Sequence, residues 1–250
     1  MIKTQWDDRS KNWTSGPPLT PNEEVIDYLK SQIAFDANIL VLGVTKQFYQ
    51  AFDNITAVDR ESVMIDRVWL GDTDTKHAIL NDWLTVDLPD NNFDAILGDG
   101  SLNMLVNPKD IQKVVDHCRE WLTPEGKFIC RMFIRPDQPI TREYLLKEAA
   151  NPTVNWTAFR RLVPMVLAHE QGAFVPWAKV YTFFNELFPD RSQLAFTAEE
   201  ISRMDAYKDV TTSTWFPTRR EILDLIPDAE FVDVGTYDIA ELFPLIVIKK

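Results

Sequence analysis

The stretch Asn38-Ile-Leu-Val-Leu-Gly43-Val-Thr-Lys-Gln-Phe-Tyr-Gln-Ala-Phe-Asp-Asn-Ile-Thr-Ala-Val-Asp59 decides the fold. It reads as a buried strand (Ile39 to Leu42), a tight turn at Gly43, a short helix (Gln47 to Phe52) and a second apolar strand ending on Asp59. Apolar runs without polar alternation suit strands covered on both faces of a parallel sheet. Gly43 permits a sharp turn and a close backbone approach to a ligand. Asp59 stands where nucleotide-binding sheets place a carboxylate for ribose hydroxyls. The spacing, 59 − 43 = 16 residues, is shorter than the roughly 20 of the dinucleotide pattern, and Val44, Thr45, Lys46 and Gln47 replace its further glycines. Alone, the loop is equally consistent with a strand-turn-helix unit that binds nothing.

Outward from this unit the alternation continues. A short helix, Ser62 to Val68, follows, then a third strand, His77 to Leu80, ending near Asn81-Asp82-Trp83. A fourth strand, Phe93 to Gly98, ends on Asp99-Gly100-Ser101. Pro108 opens a helix carrying Ile111, Val114, Val115, Cys118, Trp121 and Leu122 at helical spacing, and Thr123-Pro-Glu-Gly126 stops it. Lys127 to Ile134 is a fifth strand. Upstream, Thr20 with Pro21 and Glu23 predicts a capped helix start. Downstream, Arg135 to about Thr214 shows only helical patterns: Thr141 to Ala150, Asn155 to His169 with Pro164 as a possible kink, Pro176 to Leu187, and a capping box at Thr197 to Glu200. Thr218 then caps a helix, and strands follow at Phe231 to Tyr237 and Leu245 to Ile248. About seven residues join those two strands, too few for a parallel crossover, so the last strand is expected to run antiparallel. Together these predict a doubly wound α/β fold with a mostly parallel seven-stranded sheet and an antiparallel last strand.

Composition narrows the function. The 250 residues are 45% hydrophobic and 12% aromatic, enough for one large domain with an insertion. A net charge of −12 argues against a phosphate-backbone binder, so no nucleic acid is expected as partner. Cys118 and Cys130 show neither metal nor disulfide spacing and suit a reducing compartment. With no apolar signal core at the N-terminus and no run near the ~20 residues of a membrane span, no membrane association is expected, and a cytoplasmic location is.

Three aspartates, Asp59, Asp82 and Asp99, fall at successive strand ends, where open parallel sheets bind ligands. Here the chain resembles the class I S-adenosylmethionine-dependent methyltransferases. The resemblance rests on Ile39 to Gly43, Ile55 to Asp59, Asn81-Asp82-Trp83, Phe93 to Ser101 and Leu122-Thr-Pro-Glu-Gly-Lys127, the last similar to that family's Leu-x-Pro-Gly-Gly turn. The first loop departs from the family pattern, keeping Gly43 without the usual acidic residue and further glycines. The resemblance implies a domain organisation of an N-terminal arm and helix (1–36), a cofactor-binding Rossmann-like domain (37–135 and 215–250) and a helical insertion (136–214) as substrate cover. It implies S-adenosylmethionine as cofactor. Gly43, Val44 and Thr45 would pass its methionine part, and Asp59, beside Arg60, would accept the ribose hydroxyls. Asp82 and Trp83 would meet the adenine, and Asp99, Gly100 and Ser101 would line the methionine end. No metal site is expected.

No catalytic residue is assigned. His77 and His117 read as structural, and His169, next to Glu170, is the one candidate base. Trp156, Phe159, Trp177, Tyr181, Phe183 and Phe184 could form an apolar acceptor pocket or bury helix on helix, the second being the plainer reading. Arg160 and Arg161 could pair with an acidic substrate, although adjacent helical arginines are usually solvated. Trp6 and Trp13 in the arm could anchor it or close a lid. The expected function is methyl transfer to a small molecule. Two alternatives stand beside it: a methyltransferase-fold scaffold without catalysis, and an NAD-type oxidoreductase. The oligomeric state is left open.

Overall fold

The computed structural model describes Trp6 and residues 16–250. Within them, the elements follow in order: α1 (Glu23–Gln32), β1 (Ile39–Leu42), α2 (Lys46–Ala51), β2 (Ile55–Asp59), α3 (Ser62–Val68), β3 (Lys76–Leu80), β4 (Phe93–Asp99), α4 (Pro108–Trp121), β5 (Leu122–Arg131), α5 (Arg142–Ala149), α6 (Trp156–Gln171), β6 (Phe174–Pro176), α7 (Trp177–Leu187), α8 (Ala198–Ser202), β7 (Ser213–Trp215), α9 (Arg219–Leu225), β8 (Glu230–Val232) and β9 (Leu245–Lys249). Seven strands form one sheet in the order β3-β2-β1-β4-β5-β9-β8. The first five pair in parallel, and β9 runs antiparallel to both neighbours, as the short final connection requires.

The apolar runs are buried on both faces because successive side chains point to opposite sides. Leu40, Leu42 and Ile96 pack with Ile111, Val114 and Val115 of α4. Ile39, Val41 and Leu97 pack on the other face with Val25, Leu29 and Phe48. All four residues of β1 are buried, whereas β3 and β8, at the two edges, are only partly covered. The chain reverses direction of travel across the sheet between β1 and β4. A crevice therefore opens beyond their carboxyl ends.

Between β5 and β7, α5 to α8 form a second core, including Trp156, Phe159, Trp177, Phe183 and Phe184, which Phe133, Leu242 and Phe243 join to the sheet domain. These aromatics bury one helix against another, the plainer of the two readings. Burying each such side chain contributes roughly 1.5–3 kcal/mol. The stretch is not helical throughout: β6 and β7 pair as a two-stranded antiparallel ribbon. Each has only three residues, too few for a legible period. Pro164 lies inside α6 without ending it.

Other boundaries also move. Helix α1 is capped by Asn22, whose side chain accepts from Val25 N at 3.1 Å, and not by Thr20, which is buried two residues upstream. Thr197 completes the capping box expected of it, and Thr218, expected as a cap, forms a capping box with Glu221 as well. Strand β5 begins at Leu122, earlier than Lys127, because Leu122 pairs with Phe93 across an irregularity in the ladder. Strand β8 stops at Val232 rather than Tyr237, with the chain turning at Gly235, where φ is +110°. No helix among the described residues is long and apolar enough to cross a membrane.

Candidate functional site

A cavity of about 540 Å³ lies at the carboxyl ends of β1, β2 and β4. It is lined by Gly43, Val44, Thr45, Asp59, Arg60, Asp82, Trp83, Asp99, Gly100 and Ser101, so every position expected to face the cofactor reaches one space.

The sheet-side wall is set by backbone. Gly43 sits at φ +97°, a conformation side chains disfavour, and its N–H donates to Val58 O at 2.8 Å. A Cβ at Gly43 would point between Asp59 Oδ2 at 3.7 Å and Trp83 at 3.8 Å. The missing side chain therefore leaves room for a ligand between the groups expected to meet ribose and adenine. Gly100, at φ +68°, lies under the Phe133 ring, 2.5 Å from where its Cβ would be.

Asp59 is 9% exposed, and its Oδ1 accepts from Glu61 N at 2.9 Å. Burial pushes its carboxyl up to about 6, outweighing the downward pull of the Glu61 and Val44 amides and of Arg60. A buried carboxylate with spare acceptor capacity, facing a cavity, is what ribose hydroxyls require. Asp82 accepts from Leu84 N at 2.9 Å and pairs loosely with Arg60 at 3.4 Å. Trp83 is half-buried and packs against the core while lining the cavity, and its Nε1 donates to Val58 O at 2.6 Å. His117 Nδ1 lies 3.1 Å from Trp83 O, which gives that histidine a structural part.

Asp99 is not a free carboxylate. Arg131, fully buried, donates from Nε to Asp99 Oδ1 at 2.7 Å and from Nη1 to Pro18 O at 2.9 Å. The one guanidinium thus ties the arm to the end of β4. Ser101 Oγ donates to Leu42 O at 2.5 Å, joining the ends of β4 and β1. Asn103, with no exposure, donates to Phe133 O and Trp215 O at 2.8 and 2.6 Å and accepts from Phe133 N at 2.9 Å.

The opposite wall comes from residues the sequence reading left aside or assigned to solvent. Arg160, Arg161, Glu199, Ser202, Arg203, Ala206 and Tyr207 line it, with Phe133 and Met104 at the junction. Arg161 is 4% exposed, which corrects the expectation of a solvated pair: it lies in a helix that is apolar nearly all round. That all-round apolarity was the available signal. Trp6 and Leu19 also line the cavity, whereas Trp13 lies outside the described residues. His169 is not among the lining residues; partial burial and the Arg135 charge lower its pKa. Among the described residues, no three His, Cys, Asp or Glu side chains are grouped to hold a metal ion.

Comparison with known proteins agrees with this geometry. Residues 42–130 match the family described as a methyltransferase domain. No curated protein matches the chain. Among solved structures, a protein from Rhodobacter sphaeroides, provisionally described as a Zn-dependent alcohol dehydrogenase, superposes with TM-score 0.60 at 13% identity, covering 100% of this chain and 99% of its own. A SAM-dependent methyltransferase from Methanosarcina mazei gives 0.50 at 12% identity, covering 92% and 97%. The 1,6-didemethyltoxoflavin-N1-methyltransferase of Burkholderia thailandensis, solved with 1,6-didemethyltoxoflavin and S-adenosylhomocysteine bound, gives 0.52 at 13% identity, covering 97% and 82%. At these identities the likeness is one of fold.

Proposed function

We propose that the chain is a class I S-adenosylmethionine-dependent methyltransferase, an active enzyme that methylates a small-molecule acceptor, a reading supported by the methyltransferase-domain match over residues 42–130. The observation that carries the reading is the convergence of Gly43, Asp59, Asp82, Trp83 and Asp99, from four separate strand ends, on one cavity of about 540 Å³. That volume falls within the ~300–1,000 Å³ of small-molecule sites.

When bound, S-adenosylmethionine supplies the methyl group and leaves as S-adenosylhomocysteine. The protein's residues bind and align. Asp59 would accept hydrogen bonds from the ribose hydroxyls through a carboxylate already desolvated, and Asp82 and Trp83 would hold the adenine. The bare Cα of Gly43 lets the backbone lie against the ligand. Asp99, held in place by Arg131, fixes the end of β4. Residues 136–214 act as the cover, with Leu19 and Trp6 closing the arm side and limiting water at the reacting centre.

Isothermal titration of the full chain with S-adenosylhomocysteine, S-adenosylmethionine and NAD tests the reading. Binding of the first two and not the third is expected. Binding of NAD alone would return the chain to the oxidoreductase reading. Binding of none of the three would favour a scaffold role.

A further inference from the structure

The charge on the cavity wall is divided by side. Among the described residues, the sheet-side wall carries Asp59, Glu61, Asp82 and Asp99 with Arg60. Among the described residues, the wall from α6 and α8 onward carries Arg160, Arg161 and Arg203 with Glu199. An overall net charge of −12 makes three arginines on one inner wall a local reversal of the protein's field.

Arg161 is the best fixed of the three. Its guanidinium lies over the Phe133 ring at 5.1 Å and near the Trp177 ring at 5.8 Å. Trp177 is itself stacked on Tyr207 at 4.4 Å, with its Nε1 bound to Thr214 Oγ1 at 2.9 Å. Aromatic faces engage the plane of a guanidinium and leave its N–H groups pointing along that plane, the geometry that meets a carboxylate or phosphate in two parallel bonds. Arg203 is tethered by Glu199 at 3.3 Å, a surface i,i+4 contact that holds little.

Resting on the methyltransferase reading of this site, we infer that the acceptor is a small molecule bearing an oxyanion, a carboxylate or phosphate, which Arg161 and Arg203 bind with Arg160 beside them. The same chemistry has a second source, the methionine carboxylate of the cofactor, and the test separates the two.

The full chain is titrated with S-adenosylhomocysteine, which bears that carboxylate, and with 5′-methylthioadenosine, which lacks it. The saturated S-adenosylhomocysteine complex is then titrated with inorganic phosphate and with benzoate at constant ionic strength. The variants are Arg161→Gln, Arg161→Lys and Arg203→Gln. Arg203 is half exposed, so its variant reports on the wall even where an Arg161 variant fails to fold. The expected result is that at least one of the two anions binds the wild-type complex and is weakened about tenfold or more in each Gln variant, while S-adenosylhomocysteine affinity changes less than about threefold. Arg161→Lys is expected to weaken the anion as well, because an ammonium lacks the planar fork. A loss of S-adenosylhomocysteine affinity with 5′-methylthioadenosine unchanged would assign the arginines to the cofactor and overturn the inference. Binding of S-adenosylhomocysteine with no binding of either anion would overturn it while leaving the methyltransferase reading intact. No binding of S-adenosylhomocysteine to the wild type would overturn both.

Discussion

The two walls of the cavity hold their groups by different means. On the sheet side, positions are set by main chain: Gly43 at φ +97° bonded to Val58 O, and Asp59 accepting from Glu61 N. Strands buried on both faces leave these loops little freedom. On the other side, positions are set by side-chain packing, with Arg161 over Phe133 and Trp177 stacked on Tyr207. A backbone-set wall fixes one ligand geometry whatever the neighbouring side chains. A packed wall can change its chemistry by changing side chains. The first suits a constant cofactor and the second a particular acceptor.

The junction of the two walls is where the contrast breaks first. Asn103→Leu removes three buried hydrogen bonds and leaves Phe133 N, Phe133 O and Trp215 O without that partner. At about 1–3 kcal/mol for each unsatisfied buried group, partly offset by relaxation, the expected loss is roughly 3–5 kcal/mol. Thermal unfolding should show a fall on the order of 10 °C. An unchanged midpoint would mean that the walls stand independently.

Asp59→Asn is expected to act on binding and stability in opposite directions. Loss of a charged hydrogen bond to the ribose should weaken S-adenosylhomocysteine by about 10- to 150-fold, from roughly 1.5–3 kcal/mol. In the ligand-free protein the carboxyl is raised to about 6, so the folded state holds its proton more tightly than the unfolded chain. The resulting stabilisation is complete below the unfolded value near 3.8 and is lost as pH rises through about 6. The variant should therefore unfold several degrees higher than wild type at pH 7.5, by up to about 3 kcal/mol, and no higher below pH 4. Wild-type affinity for S-adenosylhomocysteine should fall up to about tenfold per pH unit below 6, as the acceptor becomes protonated. Scanning calorimetry and titration across pH 4–8 check both signs.

Gly43→Ala tests the main-chain wall alone. Among the described residues other than its chain neighbours, no atom lies closer than 3.7 Å to the added methyl, so the fold should lose only the ~1–2 kcal/mol of a non-glycine residue in the left-handed region. Binding of S-adenosylhomocysteine should suffer more than stability, because the methyl points into the ligand's space. Equal losses would mean that the turn, and not its bareness, is what matters. The smallest effect is expected at Arg142→Ala. Its ion pair with Glu170, at 2.6 Å, lies on the surface, with side chains 48% and 33% exposed. Denaturant unfolding should move by less than about 1 kcal/mol, and cofactor affinity not at all.

What the sequence disclosed follows the same division. Parallel strands buried on both faces are written as largely apolar runs, so β1, β2 and β4 were legible, and with the last two of them Asp59 and Asp99 at their ends. The packed wall was not. Arg160 and Arg161 look like a solvated pair until the apolarity of their helix on every side is noticed. Ser202 ends the five-residue α8, Arg203 is its C-terminal cap and Tyr207 ends the single 3₁₀ turn that follows, elements too short to carry a period. The aromatics that drew attention, Trp156, Phe159 and Phe184, were legible as apolar, but apolarity does not distinguish a core from a pocket. The N-terminal cap of α1 was misplaced because Thr20 and Asn22 are both able to cap, and only their positions relative to the first turn decide.

The long excursion between β5 and β7 departs and returns at one amide: Asn103 Nδ2 holds the carbonyls of both Phe133 and Trp215. Two residues further along each flank, Arg135 N donates to Pro217 O at 2.8 Å. A segment whose ends already touch adds only a slowly growing closure entropy as it lengthens. Its length and side chains can therefore change at small entropic cost while the strand ends beneath it keep their geometry.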